Sequence, residues 1–372
     1  MKRPVVLHVS WGRGNGHVTR LVAIGRAFHS AGWDCVLLGR QNAVHDRLVS
    51  KAGIFTTAYY REGVADIDPW AEWGDPGVFD EAVVADVAVL QRFRPDRVIN
   101  DNRLSMIVAC ASLSIPIVTL CQDNQLVGYR YQGEGVSEIW TGPLMAVNEA
   151  LGRRGLPLVD RDVRELFERG LIAIPSAPSL DVMESRVGMR EVVFTGVLGP
   201  VKAGLHGSGL LFYRTVGGID SEFLHAFENW EGEIYVATGD QASADSYRHV
   251  PDAIHVAALW DLEEVFPELA AVVHHGGHGI ATTCVASGVP AVILPGHNPE
   301  RRSNGYRVEL SGWGKVLGPL SAEGTRWGPA VDVTGDRPPW SDVRGAVDAL
   351  RAPDVDAGGS VASASELVRL LT

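Results

Sequence analysis

Apolar residues in the first 120 positions come in short β-branched runs separated by longer amphipathic stretches. Val5–Ser10 (VVLHVS) predicts a buried strand. A glycine-rich turn follows, and from about Gly16 to Ser30 the residues Val18, Leu21, Val22 and Phe28 recur near the period of a helix. The same alternation predicts strands at Asp34–Leu38, Ile54–Tyr60, Arg97–Asn100 and Ile115–Leu120. Helices are predicted at Ala43–Ala52, Ala82–Phe93 and Ser105–Leu113. Arg61–Asp80, rich in Gly, Asp and Trp, reads as a long surface loop. GVLGPVKAGLHGSG, residues 196–209, has no periodicity and reads as a linker. Beyond it the alternation restarts, with strands at Leu210–Val216, Glu233–Thr238, Ala253–Ala257, Ala271–His274 and Val289–Leu294. Helices lie near Ser221–Asn229 and start at about Leu262 and Gly279. Strands alternating with helices of this length imply parallel βαβ units. The expected fold class is α/β, with two Rossmann-like βαβ domains. Residues 1–195 form an N-terminal domain, 196–209 the linker, 210–350 a C-terminal domain and 351–372 a closing C-terminal helix.

Of the 372 residues, 46% are hydrophobic and 21% charged, which excludes a disordered or fibrous chain. Lys and Arg number 33 against 45 Asp and Glu, a net charge of −12. That argues against nucleic acid as a partner, which calls for a basic patch. A small anionic ligand is still allowed, because a few local donors outvote the global charge. Cys35, Cys110, Cys121 and Cys284 show no CxxC spacing and read as small buried hydrophobes in a reducing compartment. No signal-peptide core and no apolar window long enough to span a bilayer is visible, so no integral membrane segment and a cytoplasmic location are expected.

Two glycine-rich turns carry the candidate chemistry. The first, Gly12-Arg13-Gly14-Asn15-Gly16-His17, joins the first strand to its helix. It lacks the third glycine of a dinucleotide fingerprint, and no acidic residue ends the second strand. His17 instead falls at a sheet's carboxyl edge, where open α/β sheets bind ligands. The second, His274-His275-Gly276-Gly277-His278-Gly279, again joins a strand to a helix. Successive backbone N–H groups backed by a helix dipole make an anion site there. Its three histidines invite a metal, but neighbouring strand residues point to opposite faces and the motif holds no carboxylate. Asp66-Ile67-Asp68, a DxD triplet, lies in the irregular loop without supporting context.

Together the two motifs resemble the GT-B glycosyltransferases, a nucleotide-sugar-dependent class, over most of the chain. VVHHGGHGIATTCVASGVPAVILPGHNPERRSNG is similar to the donor-binding signature HGGxGTxxEAxxxGVPxxxxPxxxDQ, and HGGxG and GVPxxxxP keep their spacing. GRGNGHVTR resembles the GxGxGHxxR start of a bacterial branch, and RPDRVINDN followed by SIPIVTL resembles PDxVxxD…GIPxV. The resemblance implies two βαβ domains facing across a cleft and an inverting transfer. It assigns His17 as general base on the acceptor and Asp101 as the acid that orients it. Asp96 competes for the second role, and Asp101 is preferred because it lies just past the strand end. His275 with the amides of Gly276 and Gly277 matches the pyrophosphate site. The wider donor and phosphate set is Gly14, Gly16, Gly217, Gly218, Trp260, His278, Gly279 and Ile280. Cofactors are none: a UDP-sugar is the substrate and no metal is required.

The departures from the signature are specific. Ile280 stands where a Thr or Ser is usual. The Asp-Gln pair that holds the donor sugar falls on Pro299 and Glu300, followed by Arg301 and Arg302. Guanidinium forks match carboxylates, so Glu300, Arg301 and Arg302 suggest an acidic donor sugar such as glucuronic acid. Asn15, Asp123, Asn124 and Gln125, with Tyr59, Tyr60, Trp70 and Trp73, are the acceptor candidates. Acceptors in view are a nucleobase such as cytosine, as in a cytosylglucuronic acid synthase, or another natural-product scaffold. The expected partners are therefore a nucleotide-sugar donor and a small-molecule acceptor, with homodimerisation open. A nucleotide-sugar epimerase and an inactive sugar-nucleotide binding module are the competing classes. The first calls for carboxylates at the anomeric region, and the second for loss of His17 or Asp101.

Overall fold

The computed structural model describes residues 3–10, 15–39, 43–60, 74–122, 125–127, 138–176, 192–198, 207–213, 218–247, 249–296, 298–318, 338–350 and 368–369. The chain divides into two compact units. One comprises Met1–Leu198 with Ala362–Thr372, the other Gly199–Val361.

The first unit is a seven-stranded parallel sheet in the order β3-β2-β1-β4-β5-β6-β7. Its first elements are β1 (Val5–Ser10), α1 (Asn15–Ser30), β2 (Asp34–Gly39), α2 (Ala43–Ala52) and β3 (Phe55–Tyr59). Next come α3 (Pro76–Phe93), β4 (Arg97–Asp101), α4 (Leu104–Leu113) and β5 (Ile117–Leu120). Two short helices, α5 (Glu138–Thr141) and α6 (Leu144–Gly152), and a 3₁₀ segment (Val163–Arg169) lead to β6 (Leu171–Ile174) and β7 (Val192–Phe194). β1 and β4 are almost wholly buried because helices cover both faces of a parallel sheet, which is why Val5–Leu7 and Val98–Ile99 are apolar without alternation. Leu7 and Val9 pack on one face with Phe79, Leu90 and Met106, while Val6 packs on the other with Leu21, Ile24 and Phe28. Val368, near the end of the chain, packs into this second layer. Residues 351–367 and 370–372 of the expected closing helix lie outside the described residues.

Two expectations are corrected here. Helix α3 starts six residues before the predicted Ala82, at Pro76. Asp75 caps it by accepting from the N–H groups of Gly77 and Val78, and Pro76 takes the first helical position. The Gly-Asp-Pro-Gly composition that suggested loop is in fact a helix start, so the expected loop ends by residue 75. Tyr60, an acceptor candidate, is buried under the Arg103 guanidinium at 4.2 Å, and Arg103 is held by Asp86 at 2.9 Å. It is part of the packing. Tyr59 is exposed and donates its hydroxyl to Asp46 at 2.9 Å, while Trp70 and Trp73 lie outside the described residues.

The second unit repeats the plan with six parallel strands in the order β10-β9-β8-β11-β12-β13. They are β8 (Gly209–Tyr213), β9 (Ile234–Ala237), β10 (Ile254–Ala257), β11 (Leu269–His274), β12 (Ala291–Ile293) and β13 (Gly314–Val316). The helices are α7 (Ser221–Phe227), α8 (Gln241–Asp245), α9 (Leu262–Val265), α10 (His278–Ser287), α11 (Pro299–Leu310) and α12 (Trp340–Ala349). Gly288 ends α10 in the left-handed region at φ 70°, its N–H returning to Cys284 and Val285. This is the glycine stop that a helix followed by Val-Pro and a strand requires. All four cysteines are buried thiols. No helix among the described residues is long and apolar enough to cross a membrane.

Each sheet reverses its winding between its first and fourth strands, β1 and β4 in one unit and β8 and β11 in the other. The carboxyl ends of those strands are the topological switch points, where such sheets bind ligands.

Candidate active site

The switch point of the first unit gathers three charged or titratable side chains. His17 is the third residue of α1, and Asp101 is the last of β4, paired in register with Ser10 of β1. The His17 Nδ1 lies 3.0 Å from Asp101 Oδ1. Asp101 is 1% exposed, whereas the imidazole keeps a quarter of its surface in solvent. Arg20, one turn along α1, spans the carboxylate: its Nε donates to Oδ2 at 3.2 Å and its Nη2 to Oδ1 at 2.9 Å. Burial alone would push the Asp101 carboxyl up. The Arg20 guanidinium and then the His17 imidazole outweigh it and hold the group below its usual range, as a carboxylate. Asp96, the other acid weighed for this role, precedes β4 and accepts the Val5 N–H at 2.8 Å, at the amino end of the strand. The sequence motif GHxxR contains Arg20, but no role was assigned to it from sequence.

The switch point of the second unit is the turn from β11 into α10. His274 is fully buried and faces inward. Its Nδ1 accepts the Gly276 N–H at 2.9 Å, and burial lowers its pKa to about 3, so it is a neutral acceptor. Gly276 adopts φ 84°, and its carbonyl accepts from the buried Asn304 Nδ2 at 3.0 Å. His275 turns the other way, its ring lying over Gly277 so closely that a Cβ there would stand 2.5 Å from Nε2. Its Nδ1 is buried and makes no hydrogen bond to the protein. Burial, then Arg301, then His274 hold His275 well below its ordinary pKa, so it too is neutral. Gly277 caps α10 without a side-chain hydrogen bond. The N–H groups of the first turn thus have no capping side chain, an arrangement that suits an anion.

Arg301 is the guanidinium whose charge reaches His275, and its own pKa is lowered by burial. It sits in the first turn of α11, capped by Asn298, which accepts the Arg301 N–H at 3.1 Å. Glu300 and Arg302 flank it, half-buried. Asn298 and Asn304 were missed from sequence: one starts the helix that carries Arg301, the other ties that helix to the Gly276 carbonyl.

The remaining residues spread out. Gly16 is in the first turn of α1, where a Cβ would meet nothing within 4 Å. Gly218 lies against the Tyr247 hydroxyl. Trp260 is half-buried, donating its indole N–H to the Val236 carbonyl at 3.1 Å and packing edge-on to Tyr235. His278 is buried, and Ile280 joins the core with Val272 and Cys284. Gln125 folds back, its Oε1 accepting the Gln122 N–H at 2.9 Å. Gly279 leaves open space. Gly14, Gly217, Asp123, Asn124 and the DxD triplet lie outside the described residues, as do the side chains of Asn15 and Pro299. Among the described residues no cluster of three or more His, Cys, Asp or Glu is placed to hold a metal ion.

The whole chain superposes on solved structures of this architecture. The glycosyltransferase of kitacinnamycin and CalG4, the calicheamicin glycosyltransferase, each match with a TM-score of 0.68 at 18% identity. Both matches cover 100% of this chain, and 99% and 98% of theirs. The chain therefore has the GT-B fold, the architecture of nucleotide-sugar-dependent glycosyltransferases. Within it, residues 221–351 match the C-terminal domain of the erythromycin biosynthesis protein CIII-like family. Among curated relatives, the 3-alpha-mycarosylerythronolide B desosaminyl transferase of Saccharopolyspora erythraea is 36% identical over 74 residues, 20% of this chain. The demethyllactenocin mycarosyltransferase of Streptomyces fradiae is 28% identical over 163 residues, 43% of this chain. The aligned segments span 17% and 34% of those relatives' own length.

Proposed function

We propose that this protein is an inverting glycosyltransferase that moves a sugar from a nucleoside diphosphate, UDP in our reading, to a small-molecule acceptor. The observation that carries the reading is the His17–Asp101 pair: an imidazole oriented through Nδ1 by a buried carboxylate, at the switch point of an open parallel sheet. His17 Nε2 takes the proton of the acceptor's O–H or N–H. The freed electron pair attacks the anomeric carbon from the face opposite the diphosphate, and the C–O bond to the β-phosphate breaks with its electrons going to phosphate. Charge on that leaving group meets the amides at the start of α10, the His275 ring and the Arg301 guanidinium, so this chemistry asks for no metal. Replacing His275 by alanine should weaken UDP by about 1–3 kcal/mol, the usual cost of losing a hydrogen bond to a charged partner. Titration calorimetry reads this directly. EDTA should leave turnover intact, and a strict Mn²⁺ or Mg²⁺ requirement would contradict the account.

The finer reading is a glucuronic acid donor and a nucleobase acceptor such as cytosine, or another natural-product scaffold. Arg301 supports the acidic sugar, because a partly desolvated guanidinium beside the phosphate site suits a carboxylate and repels an ammonium-bearing sugar. UDP-glucuronate should exceed UDP-glucose by roughly ten- to a hundredfold in kcat/KM, the scale of one charge-assisted fork. Arg301→Ala should slow both donors through the lost charge at the phosphate and erase the gap by slowing the glucuronate reaction more. Equal use of both donors by the wild type would remove the acidic sugar and leave the transfer reading standing. The related structures include one holding dTDP and one holding UDP, so the panel carries donors of both nucleotides.

A further inference from the structure

The Asp101 carboxylate is shared. Arg20 reaches both of its oxygens, and Arg20 Nη2 also lies 3.0 Å from His17 Nδ1, so His17, Arg20 and Asp101 form a closed triangle. Arg20 and Asp101 are nearly inaccessible to solvent, with only the imidazole reaching out. His17 and Arg20 stand three residues apart on α1, which puts them on one face of the helix, toward the end of β4.

A guanidinium only donates. If Nδ1 of His17 carries the ring proton, it donates to Asp101 Oδ1, and Nη2 donates to the same oxygen beside it, so that the two donors share Oδ1 while standing 3.0 Å apart. If Nδ1 is bare, Nη2 donates to it, the proton sits on Nε2, and the ring no longer offers a base to an acceptor. The two arrangements differ by which acceptor Nη2 favours. A carboxylate held by both Nε and Nη2 keeps its plane fixed and its Oδ1 aimed at Nδ1. A bare Nδ1 would then oppose lone pair to lone pair at 3.0 Å. We propose that Arg20 is a positioning residue for the base: its fork fixes the Asp101 carboxylate so that His17 keeps its proton on Nδ1 and presents a bare Nε2. This rests on the reading of His17 as the base. It assigns a role to the arginine of GHxxR that a helix-surface cation would not have.

The alternative is that Arg20 only neutralises a buried acid. Ring ¹⁵N shifts of the full-length protein separate the two, with the His17 signals assigned by their loss in His17→Gln. In the wild type Nδ1 should be the protonated nitrogen and Nε2 the bare one. Arg20→Gln should turn His17 into a mixture of tautomers. It should also lower kcat by about ten- to a hundredfold with donor KM unchanged, a smaller loss than the ~10⁴ known for a triad whose carboxylate is replaced outright. Arg20→Lys neutralises the acid but cannot fork, so it should still show mixed tautomers. It also decides the matter if the Gln variant fails to fold. A folded Arg20→Lys with wild-type ring shifts and wild-type kcat would overturn the proposal. If the wild type transfers from no donor in the panel, the transfer reading falls, while the ring shifts still test the clamp.

Discussion

Replacing His17 by alanine should lower kcat by about 10²–10⁴, the usual contribution of a positioned general base. UDP affinity should barely change, because the proposed reading assigns the diphosphate to the β11–α10 turn and not to α1. The split matters more than the size. A loss confined to kcat says that the ring acts on the proton of the nucleophile, whereas a parallel loss of donor binding would say that it shapes the nucleotide site. A variant with near-normal turnover and saturable donor would remove His17 from the chemistry altogether.

The acids give the matching control. Asp101→Asn leaves the Arg20 fork facing an amide, which can accept through one atom only, so kcat should fall in the same direction by less. Asp96→Asn should leave kcat where it was. Asp96 accepts the Val5 N–H at the start of β1, a full strand length from the carboxyl edge where Asp101 meets His17. Loss of turnover in the Asp96 variant alone would reverse the assignment.

What the sequence made legible follows the range of the forces involved. The β1 and α2 bounds came out as predicted because apolar period and local propensity act within a few residues. The pairing of His17 with Asp101 was available only through family resemblance, since 84 residues separate them. Arg20 was in plain view, yet its role depends on how α1 sits against the β4 end in space, which no local pattern reveals. The start of α3 was missed because Asp75-Pro76-Gly77 has loop composition and cap function at once. Residues 138–176 and the strands β6 and β7 were not assigned, as two short helices and a 3₁₀ segment carry no sustained period. Tyr60 was misjudged because aromatic composition does not say whether a ring faces solvent or a buried arginine. Asn304 reaches a backbone carbonyl brought near by tertiary packing, so residue type alone gave no signal, whereas Asn298 is a local cap whose Asn-Pro signature was legible and overlooked.

The second large effect is expected at Gly276. Its φ of 84° lies in the left-handed region, and its peptide group is held from both sides: His274 Nδ1 takes the N–H and Asn304 gives to the carbonyl. An added Cβ would stand 2.5 Å from the Arg301 carbonyl oxygen and 3.1 Å from the Ile293 Cγ2. The first of these is backbone of the α11 turn, so relief requires moving the helix that carries Arg301. Left-handed strain and overpacking together should cost Gly276→Ala about 2–4 kcal/mol. For a chain with units of this size the melting transition of the second unit should fall by roughly 5–15 °C. UDP binding should weaken well beyond the His275→Ala effect, because His275, Gly277 and Arg301 lose their common frame. Gly279→Ala is the comparison, since a Cβ there meets nothing within 4 Å and the residue is helical. Its melting temperature should hold or rise slightly, as expected where alanine replaces a helical glycine without a clash. If Gly276→Ala melts with the wild type and binds UDP equally well, the turn does not need this glycine. The account of a pinned phosphate loop coupled to Arg301 would then be wrong.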